Sequence, residues 1–149
     1  LWHEHFDAIG LISNLDAQLW EFAVVSKLFF DSELLLIAHE EDQPLAFIHA
    51  TWEFSDEGKK LDQAIINALC VSNVSHADSI AACLLETMCS KLHAQGAKSI
   101  RALGSPCHFA EYLLILPLYG MLGIHAADYR LQRWLASAGF RPEHPLDLW

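Results

Sequence analysis

The sequence predicts an α/β domain built on a mixed, mostly antiparallel sheet flanked by helices, and three observations predict it. Strand-like runs at 34–38 and 45–54 are joined by the acidic connection Glu40-Glu41-Asp42-Gln43-Pro44, which reads as an antiparallel hairpin. A nearly continuous apolar run, 64–71, turns into an amphipathic run that ends near Gln95-Gly96 and feeds another strand-like run, 99–103. Helical spacing recurs near both ends of the chain, so helices and strands share one domain.

Residues 1–9 read as a helix that Gly10 would stop. Asn14 or Asp16 caps a second helix reaching about residue 28, with Leu15, Leu19 and Phe22 on one row and Trp20, Val24 and Leu28 on another. A helix apolar on several sides is expected to be largely buried. Along 45–54, Phe47, His49, Thr51 and Glu53 point to one face of the sheet, and Ala46, Ile48, Ala50 and Trp52 to the other. Residues 55–60 form a polar loop with a Glu-Gly turn signal, and the run 64–71 belongs near the sheet centre. The third helix covers about 76–92 and buries Ala81, Leu85, Met88 and Leu92, with Gly96 supplying the left-handed residue that ends it. After a long connection, 104–125, a last helix covers about 126–137 with Leu131, Trp134, Leu135 and Ala138 on one face.

Composition narrows the function classes. The 149 residues are 53% hydrophobic and 19% charged, which suits one folded domain spanning 1–149. The net charge of −10, with scattered Lys and Arg, argues against a nucleic-acid partner. No run reaches the ~20 apolar residues of a membrane span. The four cysteines show no C-x-x-C pair, so a reduced, cytoplasmic protein is expected, with the cysteines as small buried residues. The histidines lack metal-ligand spacing, and no metal site is expected. The chain starts at Leu1 and ends in the apolar run 146–149, which reads as a domain taken from a longer protein.

Three segments carry a family resemblance. They are the second hairpin strand Pro44-Leu45-Ala46-Phe47-Ile48-His49-Ala50, the strand–turn–helix from Ala68 to Ala97, and the final helix ending in Ala138-Gly139-Phe140. Their order and spacing resemble the GNAT superfamily of acyl-CoA N-acyltransferases over most of the chain, with the family's first and last strands outside it. The resemblance implies acetyl transfer from acetyl-CoA to a small-molecule or peptide amine. It implies backbone pairing of Leu69, Cys70 and Val71 with the pantetheine arm. It places the pyrophosphate loop on His76-Ala77-Asp78-Ser79-Ile80-Ala81. Of the family pattern Arg/Gln-x-x-Gly-x-Gly/Ala, only Ala81 fits outright. His76 replaces a larger donor, Ser79 replaces the first glycine, and Asp78 adds a negative charge. The thiolate-protonating tyrosine of many members falls on Leu135.

Two readings of this turn compete. A helix N-terminus offers unpaired N–H groups and a positive dipole end to a phosphate. Ser75 and Asp78 resemble a capping box that would satisfy those groups from within. An acceptor ammonium must lose a proton before it attacks a thioester, and His49 and Glu53 are the candidate bases on one strand face. His49 fits by its ordinary pKa near 6.5. The plainer alternatives are a hydrogen-bonded histidine packed in the sheet and a solvated glutamate at a strand end. The second function reading is a non-catalytic domain of the same fold, serving as a structural, sensing or dimerisation module beside another domain or a second copy.

Overall fold

Strand alternation and helix stripes meet as two apolar layers, one on each face of a four-stranded sheet. The computed structural model describes residues 1–8, 16–27, 30–55, 57–103, 124 and 127–142. Its elements are α1 (Trp2–Ala8), α2 (Ala17–Trp20) continued by a π-helical turn (Glu21–Val25), a 3-10 turn (Ser32–Leu34), β1 (Leu35–Glu40), β2 (Gln43–Phe54), β3 (Lys60–Val71), α3 (Ala77–Ala94), β4 (Ser99–Ala102) and α4 (Tyr129–Ser137). The sheet order is β1-β2-β3-β4. β1 pairs antiparallel with β2, β2 antiparallel with β3, and β3 parallel with β4.

Ala46, Ile48, Ala50 and Trp52 of β2 face α3, as alternation requires, and pack with its buried stripe Ala81, Leu85, Met88 and Leu92. Each fully buried Leu or Met side chain is worth roughly 1.5–3 kcal/mol of apolar transfer. Leu131, Trp134 and Leu135 of α4 join the same layer. On the opposite face Phe47, Ala68 and Cys70 pack with Trp2 of α1 and with Ala23 and Val24 of the π turn. Trp20 meets Phe47 edge-on at 5.8 Å. Burial pushes the Cys70 thiol pKa up, so it sits there as a neutral apolar group.

Several boundaries differ from the sequence reading. The hairpin strands run into the acidic connection, leaving Glu41-Asp42 as the turn with Glu41 at φ 52°. β3 begins at Lys60, because the turn at Gly58 (φ 75°) closes within 55–59 through Gly58 N–H to Ser55 O, 2.8 Å. Asp16 caps α2 by accepting from Leu19 N–H at 2.7 Å. The second helix is not largely buried: only one side rests on the sheet, and Phe22 is 62% exposed. α4 starts at Tyr129 because Asp128 takes the N-cap position and accepts from Leu131 N–H. Ala138 is exposed at its C-cap, and Cys83 is exposed on α3. Gly96, at φ 101°, ends α3 with Ala97 N–H returned to Leu92 O at 3.0 Å.

The readings placed on Gly10, Asn14, the connection 104–123 and the run 146–149 lie outside the described residues. Among the described residues no helix is long and apolar enough to cross a membrane.

Candidate active site

Among the described residues, β3 is held by two neighbours along one half and by one along the other. Parallel pairing with β4 runs from Gln63↔Ser99 to Ile66↔Ala102, and Leu103 N–H then donates to Ile66 O at 2.9 Å. Leu103 takes φ 51°, a left-handed residue where the chain leaves the sheet. Beyond this point β2 still pairs with β3, through His49↔Ala68, Ile48↔Leu69, Phe47↔Cys70 and Ala46↔Val71. On the other edge of 67–71 no strand pairs among the described residues. Leu69, Cys70 and Val71 have their side chains sunk into the two apolar layers. What they offer at the open edge is their backbone N–H and C=O groups.

A bulge marks the parting point. Ala50 pairs with Ile66 and His49 with Ala68, so Asn67 is the extra residue on β3. Residues 64 and 66 pack on the α3 side, and so do 69 and 71, a step of three where alternation allows two. Asn67 and Ala68 therefore share the opposite face, and Asn67 Nδ2 donates to Thr51 Oγ1 at 2.9 Å. This juxtaposition was missed from sequence; its signal was a lone amide within the apolar run 64–71.

His49, Thr51 and Glu53 share that face, as alternation along β2 predicts, and flank Asn67. Glu53 is half-buried and Thr51 buried. His49 is wholly buried, with the Phe30 ring 5.4 Å from its own. Burial lowers its pKa to about 4, while the Asp31 charge works in the opposite direction. His49 is thus a neutral imidazole at physiological pH.

The turn into α3 differs from the self-capping reading. His76 occupies the N-cap position without a side-chain cap bond, so the Ser75–Asp78 capping box does not form. The Asp78 carboxylate instead accepts from Trp134 Nε1 at 2.7 Å and Arg133 Nη2 at 2.5 Å. Those bonds, Trp134 first, hold its pKa below the usual carboxylate range. The turn partly satisfies its own N–H groups: Ala77 N–H donates to Val74 O, and both Ser79 and Ile80 N–H donate to His76 O. Ala77 and Ala81 are buried against the sheet, and Ile80 is half-buried. The small size of Ala81 therefore serves helix–sheet packing. Of the six loop residues, His76, Asp78 and Ser79 are the exposed ones.

Two further elements reach the same turn. The Glu4 carboxylate of α1 accepts from Ser72 Oγ and from Asn73 N–H, each at 3.0 Å, and the Asn73 bond chiefly lowers its pKa. His5 Nε2 and Asp128 Oδ2 meet at 2.8 Å in a buried contact that ties α1 to α4. Arg130 of α4 lies over the Trp134 ring, 4.9 Å from its centroid, and donates to Ser72 O at 3.4 Å. Arg130 and Arg133, three apart and so on one helix face, bring positive charge to the start of α3. That i, i+3 spacing was the available sequence signal for them. Leu135, at the position of the family's tyrosine, is buried in the core, and Tyr129 is 75% exposed.

The sequence matches no protein-family model. It matches no curated protein. Solved structures do resemble the fold. The BH1408 protein of Bacillus halodurans, in a tetramutant form, superposes with a TM-score of 0.59 at 15% identity, over 91% of this chain and 74% of that one. An aminoglycoside 6′-N-acetyltransferase of Acinetobacter haemolyticus superposes with a TM-score of 0.57 at 12% identity, over 98% and 88%. An aminoglycoside N-acetyltransferase in complex with CoA superposes with a TM-score of 0.50 at 12% identity, over 76% and 71%. The four-stranded mixed sheet, the parting of β3 from β4 and the helix that follows β3 give this chain the fold of the GNAT acyltransferases.

Proposed function

We propose that this domain is an acyl-CoA-dependent N-acyltransferase that moves an acetyl group from acetyl-CoA to an amine. The observation that carries the reading is the backbone edge of β3 beyond the Ile66↔Ala102 pair, left unpaired among the described residues, in a fold shared with acetyltransferases. The backbone of Leu69, Cys70 and Val71 pairs with the pantetheine arm. The turn of His76, Ala77, Asp78, Ser79, Ile80 and Ala81 receives the diphosphate. His76 and Ser79 offer side-chain donors there, and Arg130 and Arg133 offset the carboxylates of Asp78 and Glu4.

Of the two candidate bases, Glu53 suits the task better than His49. A carboxylate at the edge of the polar face can receive a proton from the incoming ammonium. An enclosed imidazole with its pKa near 4 is a weak base and a good fixed hydrogen-bonding partner. The neutral amine attacks the thioester carbon, the C–N bond forms, the C–S bond breaks, and the nitrogen gives up its second proton to solvent as it becomes the amide. The thiolate takes its proton from solvent, Leu135 having none to give. A protein with a net charge of −10 favours a cationic amine acceptor. Two of the similar structures are acetyltransferases of aminoglycosides, polycationic amines of that kind.

The second reading, a non-catalytic module of the same fold, has its own observation: Glu4 and Asp78 already occupy donors at the turn. A thermal-shift titration separates the two. Under acyl-CoA binding, acetyl-CoA at about 100 times its Kd raises Tm by roughly 5 °C or more. S-acetylpantetheine, which lacks the diphosphate, gives a smaller rise. A folded domain whose Tm neither compound moves supports the non-catalytic module.

A further inference from the structure

At the far end of the sheet β2 runs past its neighbour. β1 begins at Leu35, opposite His49, so residues 50–54 keep β3 on one side and have no strand on the other among the described residues. An open hollow of about 710 Å³ lies there, lined by Phe30, Asp31 and Ser32 on the way into β1, by Trp52 and Phe54 of β2, by Lys60 of β3 and by Gln95 at the C-cap of α3. Trp52 and Phe54 pack toward α3, so β2 lines the hollow from the face opposite Thr51 and Glu53. Lys60 begins β3 and Val71 ends it, which puts this end of the strand roughly 35 Å from the turn into α3.

Charge sorts the lining. The ion pairs around it are complete, Lys91 with Glu33 at 3.4 Å and Lys98 with Asp62 at 2.7 Å. Among the described residues the two charged groups of the hollow itself have no such match. The Lys60 ammonium rests on the Trp52 ring, 3.4 Å from its centroid, and pairs with no carboxylate. Asp31 uses Oδ1 to accept from Glu33 N–H at 2.9 Å, which leaves Oδ2 for a ligand. Ser32 and Gln95, both exposed, add a hydroxyl and an amide. We propose that this hollow binds a free α-amino acid with an aromatic side chain, at a site separate from that of acyl transfer. The ligand carboxylate meets the Lys60 ammonium and the Gln95 amide. Its ammonium meets Asp31 Oδ2 and Ser32 Oγ, and its ring lies against Phe30 and Phe54. One cation and one anion beside aromatic rings match a zwitterion that carries a ring, and half of that set stays unmatched by an amine or a carboxylate alone. Binding here needs neither acetyl-CoA nor turnover.

The test is calorimetric titration of the wild type with L-phenylalanine, 3-phenylpropanoate, phenethylamine, L-alanine and N-acetyl-L-phenylalaninamide. L-Phenylalanine is expected to bind saturably with one site per chain. The two compounds that keep one charge should bind roughly three- to ten-fold more weakly, the worth of one partly exposed charge-assisted bond. L-Alanine should bind at least about ten-fold more weakly, because it leaves the rings uncovered. Lys60→Met keeps the stem over Trp52 and removes the charge, and it should abolish the preference for L-phenylalanine over phenethylamine. Asp31→Asn keeps the Oδ1 cap and should abolish the preference over 3-phenylpropanoate. Lys98→Met, outside the hollow, and Glu53→Gln, on the opposite face, should bind L-phenylalanine as the wild type does. Absence of saturable L-phenylalanine binding overturns the proposal, as does equal affinity for the zwitterion and both single-charge compounds. N-Acetyl-L-phenylalaninamide binding as tightly as L-phenylalanine overturns it in favour of an extended peptide segment. Wild-type affinity in both Lys60→Met and Asp31→Asn, or a loss in Glu53→Gln, moves the ligand to another site and overturns it too. None of these outcomes bears on the acyl-transfer reading, which is judged by the acetyl-CoA thermal shift.

Discussion

The two ends of α3 are held in opposite ways. Along its body and C-terminal half, Ala81, Leu85, Met88 and Leu92 lie against the apolar face of the sheet, and Gly96 closes the helix. At its N-terminal end Ala77 and Ile80 still touch the apolar layer, but the exposed side is tied by polar contacts: Asp78 to Arg133 and Trp134, with Glu4 and Arg130 on the preceding residues 72–73. The first end derives its strength from area removed from water, which is large and insensitive to pH. The second derives its order from charged groups that are mostly exposed, where solvent screening makes each contact weak. A domain built this way keeps a rigid body and a mouth that can be retuned by single charges without loss of the fold.

The largest expected effect breaks the apolar end. Leu85→Ala should cost about 2–5 kcal/mol in a urea titration, because the cavity lies between helix and sheet and cannot fill with water. A cost below about 1 kcal/mol would show that this layer is not the main support of the fold.

His49 crosses the division, being polar in type but buried like a core residue. Its pKa falls from 6.5 to about 4 on folding, so between these values the unfolded chain binds the extra proton. The His49 contribution is complete above pH 6.5 and is lost as pH falls toward 4, by about 3 kcal/mol in all. His49→Gln should flatten that part of the stability–pH curve, and an unaltered curve would contradict the burial argument.

Glu53→Gln addresses the polar face from the side of activity. It should lower kcat about 100-fold or more if Glu53 is the base, with unfolding stability nearly unchanged. Loss of stability without loss of turnover would return Glu53 to a structural role.

The smallest effects belong to the mouth. Asp78→Gly should tighten acetyl-CoA binding roughly five-fold by removing a like charge and releasing Arg133. Arg133→Ala should weaken it by a similar factor, since Asp78 then stands uncompensated. Both are read by calorimetry, and equal affinities across the three proteins would remove this turn from the binding site.

The same contrast explains what could be read from the sequence. The stripe of α3, the faces of β2 and the apolar character of β3 follow from periods of 3.6 and 2 within a few neighbouring residues, and all were legible. The contacts of the mouth join residues 55, 56, 68 and 69 positions apart, and His5 meets Asp128 across 123. No local period records such pairings. The Ser75–Asp78 capping box failed for this reason: a local motif offered Asp78 one partner, and α4 supplied two stronger ones. Asn67 was overlooked because one polar letter in an apolar strand does not announce a bulge.

That single extra residue makes β3 a strand of two phases, like a zip with one tooth doubled. Before it, even-numbered positions face α3; after it, odd-numbered ones do. Removing a residue anywhere between Ile66 and Leu69 would swap Leu69 and Val71 with Cys70 across the sheet and turn the open edge inside out. The count of residues in this stretch, more than any one letter in it, therefore decides which side chains reach the core.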